Sequence, residues 1–400
     1  MRSRSCLAFL FICGSSGAWA QAPAASEIAA IRAEIGRLAE RLERLEQAPA
    51  GALDAPPPAL AVEQSVAPAE PALRFSGDLR YRHEAINEEG VGERQRQRIR
   101  ARFGVTADVT EDLRVGLVLA TGDDDPVSGN QTLDGGFDRK TFGVDRAFFT
   151  WQATEALSVS GGKMANPFFR PGGHHLIYDS DLNPEGLALR YNFGQWFTNV
   201  AGLWVEERGA ADDSILLGGQ FGYRGMLDSG ARLTAGLSYY DYLETQGQTP
   251  FYDGTGNGNR LDLAGDYLRD FNELELFAEL ALTVAERPLT VFADLVNNTE
   301  ADGADTGFAL GASFGEVSRP GTWRVGYLYQ DLEADAVIAT FTDSDFAGGG
   351  TDGRGHVFEF SYGLRERWTL GLRYFLNERG ADAGNEHDYN RLQADVSFAY

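Results

Sequence analysis

The sequence contains little cysteine and, beyond its N-terminus, no long hydrophobic run. Both cysteines, Cys6 and Cys13, lie within the first twenty residues, so a chain that has lost this segment has no disulfide to stabilise it. No later stretch approaches the ~18 consecutive apolar residues of a transmembrane helix. Any membrane span must therefore be built from strands, and only a closed barrel satisfies the hydrogen bonds of strand backbones in lipid.

Positive charge and histidine are also scarce. The 400 residues include 35 Lys and Arg against 59 Asp and Glu, which gives a net charge of −24. This balance excludes a nucleic-acid partner, which requires a basic face. None of the five histidines has a recognisable catalytic context, and no cofactor is predicted. His174 and His175 are adjacent but lack a third ligand, so no metal site is predicted. The acidic segments 123–125 and 343–352 are interpreted as solvated loops. The alternative is that they bind divalent ions or lie among the counterions of lipopolysaccharide.

Three segments with distinct compositions make up the first 72 residues. Residues 1–20 combine two arginines, an apolar run and small residues, which predicts a signal peptide cleaved after Ala20. Residues 27–47 place Ile and Leu at alternating spacings of three and four, which predicts a coiled coil of three or four chains. A single amphipathic helix packed on a domain is the alternative. Residues 48–72 are rich in Ala and Pro and are interpreted as an extended linker.

From residue 73 onward, apolar and polar side chains alternate in the manner of β-strands. In the clearest case, 94–109, arginines occupy the even positions from 94 to 102, and apolar residues occupy the odd positions from 99 to 109. Sixteen strands are predicted, at 73–86, 94–109, 112–121, 141–153, 157–164, 186–193, 196–206, 214–224, 231–243, 271–284, 288–298, 306–317, 322–333, 354–364, 367–378 and 389–400.

The connections between these strands alternate between short and long. Short links such as 110–112 and 194–195 are interleaved with long ones such as 122–140, 165–185 and 244–270. A soluble sandwich has no reason to collect its short links at one end, whereas an outer-membrane barrel does. The sequence therefore predicts an all-β fold: a 16-stranded antiparallel transmembrane β-barrel over 73–400, with an N-terminal coiled-coil helix in the periplasm. The last strand, which ends on Tyr400, resembles the C-terminal signature of outer-membrane barrel proteins.

Arginines line the polar face of the first predicted hairpin. A turn near Gly90 predicts four facing pairs: Asp78 with Arg102, Glu84 with Arg96, Arg80 with Arg100, and Arg82 with Arg98. Like charges that face each other on a sheet are destabilising, so these arginines need carboxylates from an inward loop, or passing anions. The predicted pore-lining residues are Arg80, Arg82, Arg96, Arg98, Arg100 and Arg102. The alternative is a solvated wall held by scattered carboxylates.

Residues 164–169, 178–182 and 184–186 resemble the corresponding region of the Putative porin family of Gram-negative outer membranes. The resemblance implies a signal peptide, a short heptad segment and then a barrel. It also implies that 165–185 is a constriction loop that folds inward, like the third loop of the general trimeric porins. In this loop we expect Phe168 and Phe169 to anchor against the inner wall. Asp179, Asp181 and Glu185 are then expected to face the lumen, with the two aspartates opposite the arginines.

These features predict an outer-membrane porin that allows passive diffusion of small hydrophilic solutes or ions, with a bias toward anionic or zwitterionic ones. The expected partners are the lipid bilayer, lipopolysaccharide, two further copies in a homotrimer, and peptidoglycan through the coiled coil. A structural tether between the barrel and the cell wall is the alternative function. An outer-membrane enzyme is a further alternative, but it would need a nucleophile with an oriented base, and no such set is recognised.

Overall fold

The computed structural model describes Gly36, Glu40, residues 72–209 and residues 211–400. The predicted signal peptide (1–20) lies outside the described residues, and so do nearly all of the coiled coil (27–47) and of the linker (48–72). These three segments stay predictions. No helix among the described residues is long and apolar enough to cross a membrane.

Strands make up most of the unit Glu70–Tyr400. Alternating apolar and polar side chains favour strands because successive residues point to opposite faces. The strands among the described residues are β1 Ala72–Glu88, β2 Gly92–Asp108, β3 Leu113–Thr121, β4 Gln131–Thr132, β5 Phe142–Gln152, β6 Leu157–Lys163, β7 Glu185–Phe193, β8 Trp196–Glu206, β9 Ser214–Met226, β10 Arg232–Tyr242, β11 Phe271–Val284, β12 Arg287–Asn298, β13 Thr306–Gly315, β14 Trp323–Leu332, β15 Gly353–Arg365, β16 Trp368–Arg379 and β17 His387–Ala399. Short 3-10 helices lie at Pro171–Gly173, Ala339–Phe341 and Phe346–Gly348.

These strands form one antiparallel sheet that closes on itself. β1 pairs with β2 on one side and with β17 on the other, so the sheet has no free edge. The two-residue strand β4 pairs with β2 beyond the end of β3, which leaves sixteen strands in the wall of the described barrel. The predicted 16-stranded antiparallel barrel is therefore confirmed.

The connections at the two ends of the barrel differ in length. At one end are the turns 109–112, 153–156, 194–195, 227–231, 285–286, 316–322 and 366–367, together with Ala72 and Tyr400. At the other end are the four longest connections, which we name L2 (122–141), L3 (164–184), L5 (243–270) and L7 (333–352). The connections 89–91, 207–213, 299–305 and 380–386 also lie at that end and are short. The predicted alternation of short and long links, which counted 299–305 and 379–388 as long, is therefore wrong for these four.

The two faces of the barrel wall have opposite polarity. Leu237, Leu276 and Leu295 are direct cross-strand neighbours on β10, β11 and β12 and stay 46%, 51% and 43% exposed. The side chains between them along the strands, such as Ser238 and Glu275, are buried inside. An apolar outer face with a polar inner face is the arrangement of a transmembrane barrel and the reverse of a soluble one.

L3, L5 and L7 bring apolar side chains into the barrel. Tyr178 from L3 and Ile338 from L7 share one buried cluster with the inward-facing Tyr240 and Tyr242 of β10. Asn259 of L5 donates hydrogen bonds to two carbonyl oxygens of L7, those of Ala334 and Val337, at 2.7 and 2.8 Å. Side chains of these loops thus fill the part of the barrel interior that is lined by β8 to β14.

Candidate functional site

The predicted pore arginines lie on the inner face of the β1–β2 hairpin. The opposite face carries Leu79, Tyr81 and Phe103, which are 42%, 43% and 41% exposed. The four predicted pairs are confirmed: the register sets Asp78 opposite Arg102, Glu84 opposite Arg96, Arg80 opposite Arg100 and Arg82 opposite Arg98. The alternation and the turn near Gly90 were therefore sufficient to place these charges, because a shift by one residue would have reversed the faces.

Glu84 is fully buried at the centre of one group of charges. Its carboxylate accepts a hydrogen bond from Arg391 Nη2 at 2.7 Å and another from Arg96 Nε. Arg82 and Arg98 lie 3.5 and 3.8 Å from the same carboxylate. One buried carboxylate thus interacts with four guanidinium groups.

Arg82 is itself almost completely buried and has two further partners. It binds Asp395 of β17 through two hydrogen bonds of 2.7 and 2.8 Å, a bidentate geometry that favours Arg over Lys. It also donates to Asp345 of L7 at 3.0 Å. Asp395 is the direct cross-strand neighbour of Arg82, so this pair is a consequence of barrel closure.

A second group of charges connects the hairpin to L3. Arg100 Nη1 lies 3.1 Å from Asp181 of L3, and Arg102 lies 3.7 Å from the same carboxylate. Asp78 accepts hydrogen bonds from Arg102 at 2.6 Å and from Arg100 at 3.2 Å. Burial raises the pKa of the Asp181 carboxyl, but the neighbouring Arg100 and Arg102 outweigh it and hold that pKa below its usual value.

The positive charges of Arg80 and Arg98 have fewer or more distant carboxylate partners than those of the other pore arginines. Arg80 Nη2 donates to the side chain of Asn130 in L2 at 2.6 Å, and Arg98 Nη2 donates to the backbone oxygen of the same residue at 3.2 Å. The Nε atoms of both arginines are buried without a hydrogen-bond partner among the described residues. Of the six predicted pore arginines, these two therefore have the weakest carboxylate pairing: Arg80 forms no ion pair within 4.0 Å in the described part of the chain, and Arg98 forms only the one of 3.8 Å with Glu84.

L3 approaches the hairpin in a different way from the one expected. We expected Asp179 as well as Asp181 to face the arginines, but Asp179 faces L7. Its backbone N–H donates to the oxygen of Phe341 at 2.8 Å, and its carboxylate accepts from the backbone N–H of Ser344 at 3.1 Å. Burial raises the pKa of the Asp179 carboxyl. The loop carboxylate that meets Arg82 is instead that of Asp345 in L7. The prediction that 343–352 is a solvated loop is therefore wrong at this residue.

The expected aromatic anchors of L3 lie against the inner wall. Phe168 is buried and packs edge-on against Tyr240, with ring centroids 4.9 Å apart. Phe169 is held through its backbone, which donates to Gln220 Oε1 at 2.8 Å and accepts from Gln220 Nε2 at 2.9 Å. Glu185 is the first residue of β7 and is exposed. Its Oε1 lies 3.1 Å from Nζ of Lys163.

The two adjacent histidines of L3 point to different partners. His174 stacks on Phe292, with centroids 4.8 Å apart, and its Nε2 lies 3.2 Å from Asp294. Burial lowers the pKa of His174 to about 3. His175 Nδ1 lies 3.5 Å from Asp343 of L7. Burial alone would lower the pKa of His175, but the carboxylates of Asp343 and Asp179 raise it above the usual value.

Two open cavities meet at the contact between L3 and the hairpin. The larger, of about 820 Å³, is bordered by L2 and L5 residues such as Asp124 and Tyr252. The smaller, of about 370 Å³, extends toward the side chains of β14 to β17. Arg100, Arg102 and Asp181 line both cavities. A solute that passed from one to the other would therefore move between guanidinium and carboxylate groups.

Comparison with known proteins agrees with this geometry. A family model described as Putative porin matches residues 87–262 and 252–398. The chain belongs to this porin family. Its barrel is similar to OprB of Pseudomonas putida in a high-pH structure, with a TM-score of 0.56 and 13% identity over 82% of this chain and 94% of that one. It is also similar to a triple mutant of the porin of Rhodopseudomonas blastica, with a TM-score of 0.50 and 11% identity over 82% and 100% of the two chains.

No curated protein sequence matches this porin. At such low identities the structural neighbours establish the fold and not the solute. Family and barrel together imply an outer-membrane location and favour a channel over an enzyme.

The two carboxylates that bind Arg82, those of Asp345 and Asp395, were not predicted from the sequence. Asp395 was identifiable in principle, because Leu392, Ala394 and Val396 occupy the outward face of β17 and leave Arg391, Gln393 and Asp395 inward. Closure of the barrel then sets this row beside β1. Asp345 had no such signal, because its loop has no periodicity that indicates burial.

Proposed function

We propose that this porin allows passive diffusion of small hydrophilic solutes and ions across the outer membrane. In this proposal, L3 is the constriction loop, and Arg80, Arg82, Arg96, Arg98, Arg100 and Arg102 line the wall that faces it. The single observation that carries the proposal is the junction of the two cavities at Arg100, Arg102 and Asp181. Charged rings at a narrow point select ions and polar solutes.

A transverse electric field at the junction is the proposed basis of selectivity. The smaller cavity is lined by six arginines and six carboxylates, so its side chains are close to neutral overall, and several of them form direct ion pairs, such as Arg82 with Asp395 at 2.7 Å. The least compensated of the pore arginines, Arg80 and Arg98, belong to the hairpin, and Arg80 lines this cavity. Low-dielectric walls strengthen such a field. It should attract an anion, or the anionic end of a zwitterion, to the hairpin.

The proposed assembly is a homotrimer in contact with lipopolysaccharide, with the coiled coil reaching peptidoglycan. Membership of the porin family supports the trimer, and the predicted coiled coil of three or four chains is compatible with it. Planar-bilayer recordings of the full chain provide the readout, since a trimer should insert in three equal conductance steps. Insertion in single steps would contradict the trimer.

A tether with a plugged barrel is the second candidate function. The observation in its favour is the packing of L3, L5 and L7 inside the barrel. The same recordings separate the two functions, because a plugged barrel would give no conductance steps in salt solution.

The selectivity is tested by the reversal potential in a salt gradient. We expect Arg80→Ala combined with Arg98→Ala to shift this potential toward cation selectivity, because two poorly neutralised positive charges leave the constriction. The matched control is Arg74→Ala combined with Arg114→Ala, which removes the same charge from exposed side chains that both bind Asp108. Equal potentials in the wild type and the Arg80/Arg98 variant would contradict the field model.

A further inference from the structure

Three potential metal ligands from two different loops meet at the side of the smaller cavity. His175 and Asp179 belong to L3, and Asp343 belongs to L7. One ligand atom from each, an imidazole nitrogen or a carboxylate oxygen, lies within 4.8 Å of the other two. The sequence predicted no metal here because His174 and His175 lacked a third ligand. His174 is not part of this set; Asp179 of L3 and Asp343 of L7 are the two ligands that join His175.

The separation between His175 and Asp343 suits a shared cation better than a direct bond. Their facing atoms, Nδ1 and Oδ2, are 3.5 Å apart, which is longer than the ~2.7–3.2 Å of a good N–H···O hydrogen bond. Two ligands of a tetrahedral zinc ion, each ~2.0–2.2 Å from the metal, lie about 3.4 Å apart. A small inward movement of Asp179 would complete a three-residue ligand set.

Backbone N–H groups already orient both carboxylates. Asp343 Oδ1 accepts from the N–H of Asp345 at 2.8 Å, which leaves Oδ2 directed toward His175. Asp179 accepts from the N–H of Asp181 at 2.7 Å and from the N–H of Ser344 at 3.1 Å. Such outer hydrogen bonds hold metal ligands in place and are a regular part of metal sites.

Asp179 also lacks a cationic side chain in direct contact in the part of the chain that the structure describes. Its side chain is buried, with 5% exposure, and no Arg, Lys or His nitrogen of the described residues forms an ion pair with it within 4.0 Å. A buried carboxylate without a positive partner is costly unless it coordinates a metal or is neutralised in some other way. The nearby Arg170 guanidinium donates instead to the backbone oxygen of Tyr178 at 2.9 Å.

We propose that His175, Asp179 and Asp343 bind one divalent transition-metal cation, with Zn²⁺ as the best match to one nitrogen and two oxygen ligands. The fourth position would be open to water from the cavity that the three residues line. The bound cation would join L3 to L7 and so fix the position of the constriction loop. This site is independent of the selectivity proposed for the arginines.

The test is Zn²⁺ binding to the full chain, refolded in detergent and stripped of metal with a chelator. Isothermal titration should give one high-affinity Zn²⁺ per chain, and Co²⁺ should give the visible absorption of a tetrahedral site. We expect Asp343→Asn and His175→Gln to weaken Zn²⁺ binding by at least about tenfold, because even changes outside the ligand shell cost ~10–100-fold.

The matched control is Asp124→Asn. It makes the same change at an exposed aspartate of L2, whose carboxylate accepts from the Tyr252 hydroxyl at 3.3 Å, and it should bind Zn²⁺ like the wild type. Retention of the compact barrel on an unheated detergent gel shows that each variant is folded. Either folded ligand variant is sufficient for the test, and Asp343→Asn preserves the shape of the side chain. Absence of high-affinity binding in the wild type, or unchanged affinity in a folded ligand variant, would overturn the proposal.

Discussion

Glu84 occupies a position in β1 where a carboxylate has no access to water and four guanidinium groups surround it. Transfer of either charge type from water into such a site is costly, and only the mutual attraction and the hydrogen bonds offset that cost. Gln393 adds a further donor, its Nε2 lying 3.2 Å from Oε1 of Glu84. The arginines of β1, β2 and β17 can therefore share one small volume.

Replacement of Glu84 by glutamine should destabilise the folded barrel substantially. The change keeps the volume but leaves Arg82, Arg96 and Arg391 with one fewer negative partner, and removal of one member of a buried ion pair typically costs about 3–5 kcal/mol. The measurement is the midpoint of urea unfolding in liposomes. Glu93→Gln is the matched control, because Glu93 lies on β2 and is exposed. If both variants unfolded at the wild-type midpoint, Glu84 would not have the stabilising role described here.

At the scale of elements, the position of L3 depends on its close approach to β9. A Cβ atom built on Gly218 would lie 2.4 Å from Cζ of Phe168, and Phe168 is confined between Tyr178 and Tyr240. Only a glycine lets the aromatic ring rest on the strand backbone. A Cβ atom built on the next residue, Gly219, would have no neighbouring atom within 4 Å.

Gly218→Ala should therefore displace L3, whereas Gly219→Ala should not. A methyl group forced into a packed contact typically costs about 1–3 kcal/mol. If L3 is the constriction, its displacement should also change the single-channel conductance. Both quantities are measured on the pair of variants, with unfolding in liposomes and conductance in planar bilayers. Identical behaviour of the two variants would show that the Phe168 contact does not determine the position of L3.

The sequence predicted some elements well and others poorly for identifiable reasons. The β1–β2 hairpin has strict alternation and a turn at Gly90, so both faces and all four charge pairs followed from the sequence. L7 contains only the short apolar run Ala336 to Ala339 in a loop rich in Asp and Gly, and a run of four is too short to show a period. Its burial depends on the inner face of the distant β10 and β11, which local sequence does not show. The pairing of His175 with Asp343 depends on the same docking.

For the molecule as a whole, the outer surface determines the environment in which the barrel is stable. Leu237, Leu276 and Leu295 form part of a continuous apolar row across adjacent strands. In water such a row would be an aggregation site, because monomeric soluble proteins rarely expose large apolar patches. In lipid the same row is removed from water, as the core residues of a soluble protein are. The charged side chains of the described barrel are then accommodated in the lumen, the loops and the rims.

Leu276→Arg should therefore reduce the stability of the barrel in a bilayer. Leu276 lies near the middle of β11 and faces outward with 51% exposure, and an arginine on the lipid face near the midplane costs about 2–4 kcal/mol. The matched control is Leu263→Arg in L5, where the side chain is fully exposed at the loop end of the barrel. Urea unfolding in liposomes should separate the two variants by several kcal/mol. If they unfolded together, the outward row would not face lipid, and the assignment of the apolar face would have to be reversed.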